Sequence, residues 1–236
     1  MRQFGLLGAG ISYSRSPKIW ESIWQEEGES NCHFDIIDTS NPVAYLGDNE
    51  EWEGLMVTTP YKDFLVQYMD ILTPIAEEVG AINTIKRRDG LWIGHNTDVG
   101  GFLASITDLD IGEMAMVLGS GGASRAVSVA LRSLGKEVIV VSRTPKSDMI
   151  GYEDVSKELL NKVTLIVNAT PLGGPKHPDI VPNLPYEFIG KNHILYDLSY
   201  VSPNGFLNAP IVDCTKINGE EMLYRQARLA YDFFRD

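Results

Sequence analysis

Four polar clusters in the first half of this 236-residue sequence each follow a short strand-like run. The first, Ser12-Tyr13-Ser14-Arg15-Ser16-Pro17, puts Ser14 and Ser16 on one side of an extended stretch, beside a helix start. Two hydroxyls there suit a carboxylate. Ser16 also reads as an ordinary N-cap ahead of Pro17 at the first helical position. The second cluster, Val57-Thr58-Thr59-Pro60-Tyr61-Lys62, carries Lys62 just past a proline turn. A lysine is commonly a solvated charge, but this placement favours a pocket. The third is Gly80-Ala81-Ile82-Asn83-Thr84 and the fourth Gly94-His95-Asn96-Thr97-Asp98. Asp98 is either a loop cap or, beside a lysine, the carboxylate that holds an ammonium and tunes its proton transfer. His95 has no nucleophile or metal set to pair with, so it reads as structural or exposed.

A second kind of chemistry lies at residues 114–144, MAMVLG-SGGASRA-VSVALRSLG-KEVIVVSRT. A buried strand delivers Gly119, Ser120, Gly121 and Gly122 to a helix start. Gly119 and Gly121 match the first two glycines of the dinucleotide fingerprint: they permit the tight turn and let backbone N–H groups approach a pyrophosphate. Ser124 stands in the third glycine position, small enough for close helix–strand packing. Gly135 ends the helix. The next strand ends in Ser142-Arg143-Thr144, with Lys146 beyond. An NAD site wants an acid there, about 20 residues past the loop. A guanidinium, a hydroxyl and an ammonium suit a 2′-phosphate instead, hence NADP(H). The competing reading is a plain turn and a solvated arginine. Strand, helix, helix stop and basic strand end in register favour the nucleotide.

The elements that must hold these residues alternate strand and helix, which predicts an α/β layer architecture. Strands are expected at 3–8, 33–38 and 54–59, a helix from Pro17 to about Glu27, and helical sequence over 61–79 broken near Thr73-Pro74. A hairpin turns at Asp89-Gly90. Further strands at 114–119, 137–142, 164–169 and 193–199 have spacings that suit βαβ crossovers. A last helix covers roughly 219–234. The expected division is a substrate-binding and catalytic domain at 1–101 and a dinucleotide-binding domain at 102–218, with the C-terminal helix, 219–236, packing back towards the first. Gly100-Gly101 is the candidate hinge.

The bulk numbers exclude several classes. The formal net charge is −12, which argues against a nucleic-acid partner, since that wants a basic stripe. No apolar run reaches the roughly 18–20 residues of a membrane span, and no signal peptide is read. Cys32 and Cys214 show neither CxxC nor metal spacing, so no metal is expected and a reducing cytoplasm fits. An acidic protein must supply local donors and cations to hold an anionic substrate.

Together the clusters resemble the shikimate dehydrogenase family, over essentially the whole chain from Gly5 to Phe234. GAGISYSRSP is similar to GxPIxHSxSP, GLMVTTPYK to GxNVTxPxK, GAINT to GAVNT, and GHNTDVGG to GxNTDxxG. GSGGASRA resembles GxGGAxxA and SRT resembles NRT. NATPLG, YDLSY and GEEMLYRQA follow in order. The departures are Gly10 for Pro, Tyr13 for His, Met56 for Asn and Ser142 for Asn, together with a contraction between Phe206 and Gly219.

The resemblance implies a two-domain α/β fold with a Rossmann-type NADP-binding domain and a site in the cleft between the domains. It implies reversible, NADPH-dependent reduction of 3-dehydroshikimate to shikimate, in aromatic amino-acid biosynthesis. By position, Lys62 and Asp98 would be the catalytic pair. Ser14 and Ser16, helped by Tyr200, would bind the carboxylate, and Thr58, Lys62, Asn83, Asp98 and Gln226 the ring hydroxyls. Gly119, Ser120, Gly121, Gly122, Ala123, Ser124, Arg125, Ser142, Arg143 and Thr144 would surround the cofactor phosphates. Asn168, Ala169, Thr170, Leu198, Gly219 and Met222 would line its ribose and nicotinamide side. A monomer or homodimer is expected.

Other readings are a quinate or aminoshikimate dehydrogenase using NAD, another Rossmann reductase of the folate-dehydrogenase kind, and a dinucleotide-sensing regulator. The Ser14/Ser16 pair and Gln226 favour a polyhydroxylated acid. A regulator would usually sacrifice Lys62 or Asp98.

Overall fold

A computed structural model describes residues 1–49, 51–146, 148–174, 177–200, 204–209 and 213–236. The chain divides into two units: Met1–Gly101 with Tyr224–Asp236, and Phe102–Leu223.

The first unit begins with β1 (Arg2–Gly8), α1 (Ser16–Glu27), β2 (Cys32–Asp38), α2 (Pro42–Asp48) and β3 (Gly54–Val57). A 3₁₀ turn, Phe64–Tyr68, leads to β4 (Ile71–Leu72), α3 (Pro74–Val79), β5 (Thr84–Arg88) and β6 (Leu91–His95). The six strands run in the order β2-β1-β3-β5-β6-β4. β1 pairs in parallel with β2 and β3, whereas β5 is antiparallel to β3 and β6. Asp89 (φ 52°) and Gly90 (φ 81°) make the two-residue turn expected of that hairpin.

Side chains alternate across this sheet as period-2 strands require. Phe4, Leu6 and Met56 face one core with Trp20, Ile23 and Trp24, which lie one helical turn apart on α1. Leu7, Leu55 and Val57 face the other core with Leu46, Leu65 and Ile82. Trp20 is wholly buried and stacks on Phe4, Phe34 and Phe234. Trp20→Ala would cost about 3–5 kcal/mol by emptying that cluster. Gly28 stops α1 in the left-handed conformation (φ 71°).

Of the interrupted helix expected over 61–79, the break at Thr73-Pro74 and the helix after it are present, but before it lie only a 3₁₀ turn and a short strand. Ile71 and Leu72 instead pair with Ile93 and Gly94 at the sheet edge, and Asp70 Oδ2 accepts the Trp92 N–H at 2.8 Å. Tertiary pairing overrides local helical pattern there. α2 has a local start signal of its own: Asn41 caps it, accepting the Ala44 N–H, ahead of Pro42.

α4 (Asp98–Ser105) carries the chain into the second unit. Gly100 and Gly101 are therefore helical, not a loop hinge. A Cβ on Gly101 would stand 2.8 Å from the backbone nitrogen of Gln226, so glycine lets two backbones touch.

The second unit contains β7 (Met114–Leu118), α5 (Gly122–Ser133), β8 (Glu137–Val141), β9 (Met149–Ile150) and α6 (Lys157–Leu160). It continues with β10 (Leu165–Asn168), β11 (Ile194–Asp197), β12 (Thr215–Ile217) and α7 (Glu220–Arg235). All six strands are parallel, in the order β12-β11-β10-β7-β8-β9. The central strands β7, β10 and β11 are nearly continuous buried runs, as a sheet covered on both faces demands, whereas the edge strand β12 is mostly exposed. Within the contracted 206–219 stretch β12 follows Cys214 directly; residues 210–212 lie outside the described residues.

α7 passes back into the first unit, where Ala227, Ala230 and Tyr231 join the Trp20 core. Glu27 on α1 pairs with Arg228 and Arg235. The buried Lys86 donates to the Phe233 carbonyl at 2.7 Å, closing the last turn of α7. Burial and the neighbouring Arg88 hold that ammonium's pKa below its ordinary value. No helix among the described residues is long and apolar enough to cross a membrane.

Candidate active site

In the first unit the strand ends bring four predicted side chains onto one another. β3 ends at Val57, and Lys62 follows a turn in which the Tyr61 N–H bonds the Thr58 carbonyl at 2.9 Å. The Lys62 carbonyl accepts the Ile82 N–H at 2.9 Å, which ties the lysine to the approach of β5. Asn83 lies between β3 and β6: its carbonyl accepts the Val57 N–H and its N–H bonds the His95 carbonyl. Asp98 opens α4, where a negative charge complements the helix dipole, and its N–H is capped by Asn96 Oδ1 at 3.0 Å.

Lys62 Nζ donates to Asp98 Oδ2 at 2.5 Å. Asn83 Nδ2 stands 2.9 Å from Asp98 Oδ1, 2.9 Å from Thr97 Oγ1 and 3.2 Å from Gln226 Oε1. Its own Oδ1 accepts from the Thr97 N–H and the Thr84 hydroxyl. Asn83, Asp98 and Gln226 are buried, while the Lys62 side chain keeps about a fifth of its surface open. Each carboxylate oxygen thus has a donor, Asn83 on one and the Lys62 ammonium on the other. Thr97 and Thr84 were not foreseen. Only the Asn-Thr-Asp run hinted at the first.

Ser14 and Ser16 meet differently from the extended arrangement expected. Ser16 is the first residue of α1 and Arg15 takes the N-cap position, so Ser16 caps nothing. The Ser14 hydroxyl accepts the Ser16 N–H at 3.2 Å and lies 3.1 Å from the Ser16 hydroxyl. Two hydroxyls at a helix start remain a carboxylate-compatible pair. Gly10 explains its own departure from proline: its φ is 65° and its N–H donates to Asp38 Oδ1, neither of which proline allows. Tyr13 is about half exposed, and Met56 is buried in the Trp20 core. His95 is structural, as read: it bonds the Thr73 hydroxyl and stacks on Phe233 at 4.6 Å. Burial and the neighbouring Lys86 lower its pKa.

In the second unit the glycine loop has the form expected. Gly119 adopts φ 110° directly after β7, and a Cβ there would lie 3.1 Å from the Ala169 carbonyl oxygen. Gly121 caps α5 and has open space around it. No acid occupies the first turn of the helix. An open helix start with no acid fits a pyrophosphate, which the first-turn N–H groups of a helix can receive. The buried Ser124 donates its hydroxyl to the Gly119 carbonyl at 2.6 Å, so it staples the loop from within.

The buried Ser142 hydroxyl links Ser120 Oγ at 3.3 Å to the Thr144 N–H at 3.2 Å, joining the glycine loop to the end of β8. Arg143, Thr144 and Lys146 are exposed there. Beyond β10, Asn168 is buried and the hydroxyl and N–H of Thr170 both donate to its Oδ1. The Leu198 N–H bonds the Asn168 carbonyl, and the Gly219 N–H bonds the Ser199 carbonyl. Met222 is buried and Tyr200, also in this unit, is half-buried.

Residues 6–85 match the profile of the shikimate dehydrogenase substrate binding domain. A shikimate dehydrogenase (NADP(+)) of Clostridium botulinum is 33% identical over 242 residues, covering 94% of this chain and 92% of the relative. A crystal structure of shikimate dehydrogenase 1 from Peptoclostridium difficile superposes with a TM-score of 0.89 at 30% identity, over 100% of this chain and 92% of that one. The Thermus thermophilus shikimate 5-dehydrogenase, solved with NADP(H) and shikimate, gives 0.84 at 31%, over 99% and 93%. The fold and these two sites define a two-unit α/β oxidoreductase of the dinucleotide-binding class. Within that class the chain belongs to the shikimate dehydrogenase family.

Proposed function

We propose that this protein reduces 3-dehydroshikimate to shikimate with NADPH, reversibly, in the cytoplasm, as a monomer or homodimer. The observation that carries the reading is the Lys62–Asp98–Asn83–Gln226 network: a cation held by a buried carboxylate, next to two carboxamides that can sort ring hydroxyls. The first unit binds substrate and the second binds cofactor.

When bound, NADPH supplies the hydride that reduces the ring carbonyl. Lys62 places its ammonium on the carbonyl oxygen, stabilises the negative charge that develops there and delivers the proton to it. Asp98 holds the lysine Nζ in place and aimed. Asn83 and Gln226 hold the neighbouring hydroxyls, and Thr58 adds another donor. Ser14 and Ser16, with Tyr200, bind the carboxylate, which an acidic protein can attract only through such local donors. Arg143, Thr144 and Ser142 receive the 2′-phosphate. Gly119–Arg125 cradles the pyrophosphate through its backbone, and Asn168–Thr170, Leu198, Gly219 and Met222 border the ribose and nicotinamide.

The test is shikimate oxidation followed at the NADPH absorbance, with quinate and NAD as controls. Turnover of shikimate with NADP above every other pairing is expected. No turnover, or quinate with NAD as the better pair, overturns the proposal.

A further inference from the structure

Asp197, the last residue of β11, is wholly buried and has no part in the reaction described above. Its Oδ2 accepts from Asn168 Nδ2 at 3.0 Å, and its Oδ1 accepts the Ser199 N–H at 2.7 Å. Asn168 Nδ2 also donates to the Leu172 carbonyl at 2.9 Å. Its Oδ1 receives the Thr170 N–H at 3.1 Å and the Thr170 hydroxyl at 2.6 Å. Thr170 Oγ1 in turn accepts the Leu172 N–H at 3.2 Å.

A carboxamide can face either way round. An acceptor on the Asp197 side forces Nδ2 inward and leaves Oδ1 for Thr170. The loop ordered in this way backs the phosphate loop, because Ala169 and Thr170 are what a side chain at Gly119 would strike. On its other side the Ser199 carbonyl accepts the Gly219 N–H at 3.1 Å, so the loop after β11 hangs from the same acid.

Keeping a carboxyl here is costly. Burial pushes its pKa up to about 6, against the pull of the Ser199 N–H and of the Asn168 and Asn204 amides. The titratable group facing it is the Tyr186 phenol, itself pushed up by burial and by the nearby Tyr152 and Asp197. Among the described residues it has no ion-pair partner. A group that served packing alone would not need the charge.

We infer that Asp197 is a positioning residue for the dinucleotide: through the Asn168 carboxamide it fixes the loop that backs Gly119 and thereby sets NADP(H) affinity. The inference rests on the NADP(H) reading above. Asp197→Asn keeps the shape but turns an N–H₂ group towards Asn168 or withdraws the acceptor from Ser199. Ser105→Ala is the control. It removes the 2.8 Å bond between Ser105 and the phenol of Tyr196, next in sequence to Asp197, and touches neither loop.

The experiment measures NADPH dissociation constants by fluorescence titration, and melting temperatures, for wild type, D197N, S105A and the swapped pair N168D/D197N. Expected are a rise of tenfold or more for D197N without loss of melting temperature, less than twofold for S105A, and recovery of at least threefold in the swapped pair. An unchanged constant in D197N overturns the inference alone. So does a D197N that melts early or fails to fold, or a swapped pair no better than D197N. Wild type that binds no NADPH overturns the NADP(H) reading and the inference with it.

Discussion

In the first unit the candidate site is made of side chains already bonded to one another; in the second it is made of a glycine loop and an open helix start. Lys62, Asp98, Asn83 and Gln226 form a closed set in which the buried atoms are partnered. The loop at Gly119–Gly121 does the reverse, since Gly121 stands in open space at a helix start with no acid in its first turn and its serines turn inward as staples. The difference follows from the tasks. A proton-transfer group must hold its charge and direction before substrate arrives, so its surroundings are preorganised. A pyrophosphate brings its own charge and needs only uncommitted donors.

The comparison can be broken most severely at Lys62. Lys62→Ala should lower kcat by about 10²–10⁴-fold while KM for shikimate moves far less. A kcat near wild type would remove Lys62 from catalysis and reduce the first network to a structural cluster. The next largest effect sharpens the contrast between the units, because Asp197 is a strained charge in the backbone-built region. Its carboxyl titrates near 6 when folded, above its ordinary 3.8. The folded state therefore binds the extra proton between about pH 4 and 6. Stability is greatest below that window and declines as pH rises through it, by up to about 3 kcal/mol. Thermal melts of wild type against D197N from pH 4 to 7 should show wild type losing ground steadily. A pH-independent difference would mean that the carboxyl is not strained.

Smaller effects separate charge recognition from backbone recognition. Arg143→Ala should raise KM for NADPH about tenfold or more and leave KM for NADH nearly unchanged. Equal changes would show that Arg143 does not read the 2′-phosphate. Ser14→Ala should cost about 1 kcal/mol of acid binding, a rise of about fivefold in KM for shikimate with kcat little altered. An unchanged KM would count against the carboxylate role.

Several features were legible because their causes are local. Strand alternation, the Pro17 start and Gly28 stop of α1, the Asp89-Gly90 turn and the Gly119–Gly135 strand–loop–helix unit each follow from residues within a turn or two of each other. The failures were also physical. Within the 61–79 stretch Ile71-Leu72 became an edge strand because Asp70 and Ile71 found partners on β6, about twenty residues away in sequence, while Pro74–Val79 stayed helical. Gly100-Gly101 looked like a hinge because glycine is permissive. In the fold it is a contact, where α4 needs room for the backbone of Gln226.

By itself the sequence determined which chemistry was available: a lysine and an acid after strand ends, a glycine loop before a helix, and an arginine where an NAD enzyme would carry an acid. Only tertiary structure decided that Gln226, 143 residues from Asn83, meets its amide, as the family resemblance implied, and that Asp197 accepts a hydrogen bond from Asn168. Both lie in motifs the sequence shows, YDLSY and GEEMLYRQA, but neither motif names the side chain each one meets. Their meaning comes from burial, which makes each polar atom find a partner, and from distance, which only the fold can close.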